Sequence, residues 1–232
     1  MASRSLRKRV WYRALQAICQ LATVALFHVR CRGYRWVPKD GGALVLSNHQ
    51  SHLDPVLVGV ACNRRLNYLA RKTLFRFAPL RWLIDSLDAI PIDREGTGFG
   101  GLKETLRRLK REEMVLLFPE GTRTSDGEVA PLKPGFCALA KRAGVPLVPV
   151  AVAGAFDAWP RWRRLPRRTV IHVVFGPPVS PEQIADLAER ELLAEVERRI
   201  VACQEQARAS RRRAVDGRAN RRAPQAVPEC RP

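Results

Sequence analysis

Short runs of β-branched and other apolar residues alternate with stretches of helical period along most of the chain, and that alternation predicts an α/β domain. The strand-like runs are Ala43–Leu46, Asn67–Leu69, Ala89–Ile92, Met114–Phe118, Leu147–Ala151 and Thr169–Phe175. Helices are expected between them, over 55–62, 71–77, 97–111 and 135–143. A last helix opens at Ser180, where Ser-Pro-Glu-Gln supplies an N-cap, a first-turn proline and the glutamine of a capping box. Its apolar stripe runs through Ile184, Leu187, Leu192, Val196 and Ile200. No internal repeat and no linker interrupts the pattern, so it reads as one domain over 31–203, a mixed central sheet flanked by helices.

The two ends have a different character. Ala14 to Val29 is a run of sixteen residues without Asp, Glu, Lys or Arg, short of the roughly 20 that span a bilayer comfortably. Trp11, Leu15, Ile18, Leu21, Leu26 and Val29 recur at helical spacing, opposite a stripe of Arg9, Arg13, Gln16, Gln20 and Thr23. Residues 1–30 are therefore expected to form a basic amphipathic helix lying in a membrane interface, with a helix packed against the domain as the alternative. No small-residue cleavage site closes the run, so a signal peptide is not expected. Residues 204–232 are rich in Arg, Ala, Pro and Gln and read as a disordered basic tail.

Composition narrows the class. With 232 residues, 46% of them hydrophobic, the chain can bury a sizeable core, which excludes a disordered or fibrous protein. Lys+Arg 41 against Asp+Glu 22 gives a formal charge of +19, which predicts an anionic partner: nucleic acid, lipid headgroups or a phosphorylated substrate. Residues 1–13 and 204–232 contribute +5 each. About half the surplus thus lies in the ends, and no helix-turn-helix, zinc finger or stacking platform appears, so a specific nucleic-acid partner is not expected. Trp159-Pro160-Arg161-Trp162-Arg163-Arg164 interleaves indoles with arginines and suits an anionic membrane surface. Six scattered cysteines without a C-x-x-C pair point to a reducing compartment, and four histidines without a Cys/His cluster point to no metal.

Three strand ends carry candidate chemistry. The first strand runs into Ser47-Asn48-His49-Gln50-Ser51-His52-Leu53-Asp54-Pro55, which puts a histidine at the carboxyl edge of a strand, where open α/β sheets bind ligands. A carboxylate that fixes its tautomer would make His49 a general base. Asp54-Pro55 is equally a helix start, with Asp54 as N-cap, and His52 reads as loop surface. Phe118-Pro119-Glu120-Gly121-Thr122-Arg123-Thr124 builds a tight turn whose amides, hydroxyl and guanidinium could hold a phosphate. Ile90-Pro91-Ile92-Asp93-Arg94 ends a third strand on an arginine.

Taken together, residues 48–54, 90–94, 118–124 and Val148-Pro149-Val150-Ala151 resemble, in order and spacing, the four sequence blocks of the 1-acylglycerol-3-phosphate acyltransferase family. The resemblance covers roughly 30–178, with Asp88-Ala89 standing where the family often opens its second block with glycine. It implies transfer of a fatty acyl group from acyl-coenzyme A, or acyl carrier protein, to the free hydroxyl of a lysophospholipid at the cytoplasmic face of a membrane. His49 would be the base and Asp54 its orienter. Arg94, Glu120, Gly121, Thr122 and Arg123 would bind the acceptor's glycerol phosphate, and the fourth block would help shape the acyl or acceptor pocket. No cofactor and no metal is implied. Open alternatives are another acceptor on the same fold (glycerol-3-phosphate, another lysophospholipid or a lyso-aminolipid), a lipid-binding protein without catalysis, and a basic nucleic-acid-binding protein.

Overall fold

The computed structural model describes residues 6–71, 81, 84, 89–92 and 99–222. In chain order the elements are α1 (Leu6–Phe27), β1 (Arg30–Arg32), a 3-10 turn (Tyr34–Trp36), β2 (Ala43–Ser47), α2 (Asp54–Ala61), β3 (Leu66–Arg71) and β4 (Ile90–Ile92). They continue with α3 (Phe99–Lys110), β5 (Met114–Leu117), α4 (Gly135–Ala143), β6 (Leu147–Ala153), α5 (Ala155–Ala158), β7 (His172–Phe175), α6 (Pro181–Asp186) and α7 (Glu189–Arg222). The helix expected over 71–77 lies outside the described residues beyond Arg71.

The strands form one seven-stranded sheet in the order β1-β7-β6-β2-β5-β3-β4, parallel except for the antiparallel β6–β7 pair. Every residue of β2 is buried. Ala43 and Val45 face a layer containing Leu57 and Val58 of α2, while Leu44 and Leu46 face Phe136, Leu139 and Ala140 of α4 with Leu192, Val196 and Ile200 of α7. A strand covered on both faces shows a continuous apolar run rather than alternation, which is how the sequence read there. Because β2, β5, β3 and β4 run parallel, their carboxyl ends share one edge of the sheet, and three of the four motif-bearing segments leave from it.

The capping box at Ser180 forms as expected, the hydroxyl accepting from the Gln183 amide and the Gln183 carboxamide from the Ser180 amide. The helix it opens stops at Asp186, and a separate helix, α7, starts at Glu189. The expected tail is corrected by the structure: α7 runs to Arg222, so residues 204–222 are helical and a boundary at 203 falls inside a helix. Cys203, Gln204, Ala207 and Ser210 are buried, and all but Gln204 are small side chains that let the helix lie close against the sheet. Small residues allow that approach without producing the large-apolar signal by which a core helix is read. Arg208 pairs with Glu128 and Arg211 with Asp157. Residues 223–232 lie outside the described residues.

The N-terminal helix forms, but its faces are used differently from the expected pattern. Tyr12, Thr23 and Phe27 are buried against the domain, and the Gln16 carboxamide donates to the carbonyls of Gly59 and Cys62, which are orphaned at the end of α2. Leu6, Val10, Ile18, Leu21, Val24 and Leu26 are exposed. Of the expected polar stripe Gln16 and Thr23 turn inward, beside Tyr12 and Phe27, while Arg13 and Gln20 stay exposed together with most of the apolar stripe. Window Val10–Phe27 is long and apolar enough to cross a membrane by length and composition, a wider span than the uncharged run because it tolerates Arg13.

One buried titratable group lies away from the motifs. His172 is 2% exposed and neither ring nitrogen has a hydrogen-bond partner among the described residues. Burial, reinforced by Arg30, Arg32, Arg211 and Arg213, pushes its imidazole down to about 4. The unfolded chain takes up this proton near the ordinary value of 6.5 while the fold refuses it, so stability present above that pH is lost as pH falls toward 4. His172→Leu is expected to flatten the decline of Tm between pH 7 and 4.5. Parallel Tm curves for variant and parent would show that another group carries the acid sensitivity.

Candidate active site

The site is built where β2 ends. Beyond the last paired residue of β2, the Asn48 side chain continues the ladder to β6, its Oδ1 accepting from the Val152 amide at 2.8 Å and its Nδ2 donating to the Val152 carbonyl at 3.0 Å. This lets the backbone leave the sheet without stranding a buried amide pair, and it fixes where His49 begins.

The Nδ1 of His49 lies 2.9 Å from Asp54 Oδ2. The same oxygen accepts from the amides of Gln50 at 2.6 Å and Ser51 at 2.7 Å, and Asp54 is fully buried. An ionised carboxylate only accepts, so Nδ1 carries the proton and Nε2 of the neutral ring is bare. His49 stacks on Phe118 with ring centroids 4.0 Å apart and planes at 19°, and its side chain stays 16% exposed. The imidazole is therefore fixed on one edge and one face, with its proton-accepting nitrogen available. The N-cap alternative does not hold: α2 starts at Asp54 with Leu53 as its cap residue, and the Asp54 carboxylate binds the loop before the helix.

The 118–124 turn supports this loop from behind. Glu120 is 3% exposed, and its carboxylate accepts from the His49 amide at 2.7 Å and the Ala130 amide at 3.2 Å. The Thr124 amide donates to the His49 carbonyl at 2.8 Å. His49 is thus held through both backbone groups as well as its ring. Burial pushes the Glu120 carboxyl up to about 7, against the two amide hydrogen bonds and with help from Asp54 and Asp126. A raised carboxyl contributes stability at acid pH that is lost as pH rises through about 7, opposite in sign to His172.

Gly121 has φ +75, a left-handed conformation that glycine adopts at little cost. Its amide is taken up by the turn, donating to the Phe118 carbonyl at 3.1 Å. Thr122 is exposed. The Arg123 guanidinium meets the Nε2 of His52, and the His52 ring tilts over Trp159 with centroids 5.3 Å apart. His52 is exposed on the loop, as expected, and its pKa is lowered by partial burial and then by Arg123 and His49. Arg94 lies outside the described residues; β4, which leads toward it, ends at the edge that carries His49 and Phe118. The fourth block is the middle of β6, and its side chains are buried in the sheet beside β2 rather than at the site's opening.

Contacts that the sequence does not show, and residues outside the motifs such as Gly127, Gln204 and Arg208, complete the support of the loop. The Ser51 hydroxyl donates to the Trp159 carbonyl at 2.7 Å. The Gly127 carbonyl gathers three donors: Gln50 at 2.7 Å, Gln204 at 2.9 Å and Arg208 at 2.9 Å. The long C-terminal helix thereby reaches the loop that bears the histidine.

Four similarities place this geometry among known proteins. A family model described as Acyltransferase matches residues 28–153, more than half the chain. The chain is 31% identical over 159 residues to the 1-acyl-sn-glycerol-3-phosphate acyltransferase of Bacillus subtilis, covering 68% of itself and 77% of that protein. It is 31% identical over 185 residues to the protein of the same name from Pseudomonas aeruginosa, covering 75% and 70%. The crystal structure of the 1-acyl-sn-glycerophosphate (LPA) acyltransferase PlsC from Thermotoga maritima superposes with a TM-score of 0.78 at 26% identity, over 90% of this chain and 84% of that one.

Proposed function

The chain belongs to the 1-acyl-sn-glycerol-3-phosphate acyltransferase family, and on that premise we propose that it transfers a fatty acyl group from an acyl thioester, on coenzyme A or acyl carrier protein, to the free hydroxyl of 1-acyl-sn-glycerol-3-phosphate. The product is phosphatidic acid. The observation that carries this reading is the His49–Asp54 pair, whose bare Nε2 lies in a loop tied to the turn bearing Arg123. The hydroxyl proton passes to Nε2 as the oxygen attacks the thioester carbonyl carbon. Collapse of the tetrahedral intermediate breaks the C–S bond, and the departing thiolate takes that proton back from the imidazolium. A thioester is already activated, so the step as proposed needs no metal, no cofactor and no covalent nucleophile, only a held acceptor and a held base.

In this reading Arg94, Gly121, Thr122 and Arg123 are assigned to binding the acceptor phosphate, and the Arg123 guanidinium meets His52. Glu120 acts one step back, as the group that positions His49 and the turn. The deciding experiment offers the protein, purified in detergent, labelled acyl-coenzyme A or acyl carrier protein with a panel of lysolipids and glycerol-3-phosphate. Lysophosphatidate is expected to be the preferred acceptor. Turnover confined to another lysolipid would move the assignment to that acceptor, and no transfer to any of them would remove it.

The proposed location is the cytoplasmic face of a membrane. Support comes from the outward apolar stripe of α1, the exposed Trp162 and Leu165 beside five arginines in 161–168, and the unpaired thiols of Cys19, Cys31, Cys62, Cys137 and Cys203. Since α1 also packs on the domain, its deletion would disturb the fold, and surface substitutions test the idea more cleanly. Ile18 and Leu21 are 63% and 73% exposed. Changing both to Gln is expected to leave Tm unchanged and to move protein from the membrane pellet to the supernatant, since each loses roughly 1.5–3 kcal/mol of apolar burial at the interface. Unchanged pelleting would assign that stripe elsewhere.

A further inference from the structure

We infer that Lys133, which lies outside the four sequence blocks, is a substrate-binding residue that contacts a phosphate monoester over the 119–123 turn. The inference rests on the acyl-transfer reading above and extends it to a residue that the resemblance does not include.

The geometry comes from the missing side chain of Gly121. A Cβ built there would lie 2.9 Å from Lys133 Nζ, 3.0 Å from its Cε and 3.2 Å from its Cδ. The lysine side chain therefore lies along the open face of the turn, in the space that glycine leaves empty. Its backbone is anchored to the same turn, the Lys133 amide donating to the Pro119 carbonyl at 2.9 Å. Gly121 thus serves two ends: it takes the positive φ, and it leaves a path for the ammonium.

The charge at that position is unbalanced from within the protein. Among the described residues, no carboxylate pairs with the Lys133 ammonium and no acceptor takes a hydrogen bond from it. The carboxylate nearest in sequence on the turn, that of Glu120, is buried and turned onto the amides of His49 and Ala130. Glu128, further along the loop, is paired with Arg208. A second cation, Arg123, leaves the same turn two residues after Gly121. Two cations on one turn, with the turn's own acid withdrawn into the core, is an arrangement that favours a dianion over a neutral or singly charged group. Lysine acts as a compact point charge and arginine as a fork, so together they can take different oxygens of one phosphate.

Two substrates of the proposed reaction carry a phosphate monoester: the acceptor, at its glycerol phosphate, and coenzyme A, at its ribose. Both are separated by varying each at saturating levels of the other, with purified parent, Lys133→Met and Lys133→Arg in detergent. The side chain is exposed, so the fold is expected to keep its Tm. For Lys133→Met, the Michaelis constant for oleoyl lysophosphatidate is expected to rise roughly tenfold with kcat within about twofold, since one charge-assisted contact is lost from ground state and transition state alike. Lys133→Arg should recover most of the loss. A rise confined to the Michaelis constant for acyl-coenzyme A would identify the donor's phosphate as the one contacted. Calorimetric titration of lysophosphatidate into parent and Lys133→Met gives an arm independent of turnover. Unmoved Michaelis constants for both substrates, together with equal affinities in the titration, overturn the inference, whereas a parent protein that fails to acylate lysophosphatidate with either donor overturns the functional reading instead.

Discussion

His49→Ala is expected to lower kcat by about 10²–10⁴-fold while leaving the protein folded, because in the proposed mechanism the substitution removes the general base and little else. The oxygen that held its ring, Asp54 Oδ2, keeps the Gln50 and Ser51 amides as donors, so no buried charge is abandoned. The backbone ties of residue 49, to Glu120 and from Thr124, do not depend on its side chain. What is lost in packing is the stack on Phe118 and a side chain that is already partly open. Steady-state turnover with lysophosphatidate, measured beside Tm and circular dichroism, checks this. A variant with near-parental kcat would mean that the hydroxyl is deprotonated by another group, and the chemistry assigned to the loop would fall.

Asp54→Asn is expected to cost about 10³–10⁴-fold in kcat and also some stability, so the two variants differ in kind. A neutral amide in place of the carboxylate no longer stabilises the imidazolium that forms as Nε2 takes the proton, which in carboxylate–imidazole pairs costs on the order of 10⁴. The amide also has no comfortable orientation. With its oxygen toward the three donors, its NH₂ occupies the buried position of Oδ1, which has no hydrogen-bond partner among the described residues; turned round, the NH₂ faces the amides of Gln50 and Ser51. Either way a buried donor goes unmet, at about 1–3 kcal/mol. The measurement is kcat taken well below the lowered Tm. A loss of stability with turnover unchanged would reduce Asp54 to a brace for the loop.

The electrostatics around these two residues divide the labour of the site. Asp54 is a buried acceptor with three hydrogen bonds on one oxygen, whereas Glu120, also buried, spends its two oxygens on backbone amides and is pushed up to about 7 by burial. One carboxylate addresses the ring of His49 and the other its main chain. Burial of two acids so near one another is costly, and the compensation is a histidine fixed in position before substrate arrives. Such fixing lowers the reorganisation needed at the moment of reaction.

Local patterning determined much of the architecture from the sequence alone. Apolar runs located six of the seven strands, with shifts of a residue or a few at their ends, and only the three-residue Arg30–Cys31–Arg32 strand at the sheet edge escaped. A capping box is written within four residues, and Ser180 and Gln183 form theirs as expected. The motif blocks were legible for the same reason: His49 and Asp54 are five apart, and a loop that short brings them together whatever surrounds it. Tertiary structure decided the rest, because it turned on partners distant in the chain. The inward face of α1 was set by carbonyls orphaned 43 and 46 residues from Gln16, so a polar residue ended inside and the apolar stripe outside. Residues 204–211 became a packed part of α7 because Glu128, Asp157 and the Gly127 carbonyl supplied partners for Arg208, Arg211 and Gln204. The resemblance places Glu120 among the substrate-binding residues, and only the fold shows that its carboxylate accepts from the amide of His49, 71 residues away. Periodicity and capping act over one or two turns of chain, whereas the satisfaction of a buried polar group is a condition on three-dimensional neighbours, and only the fold says which residues those are.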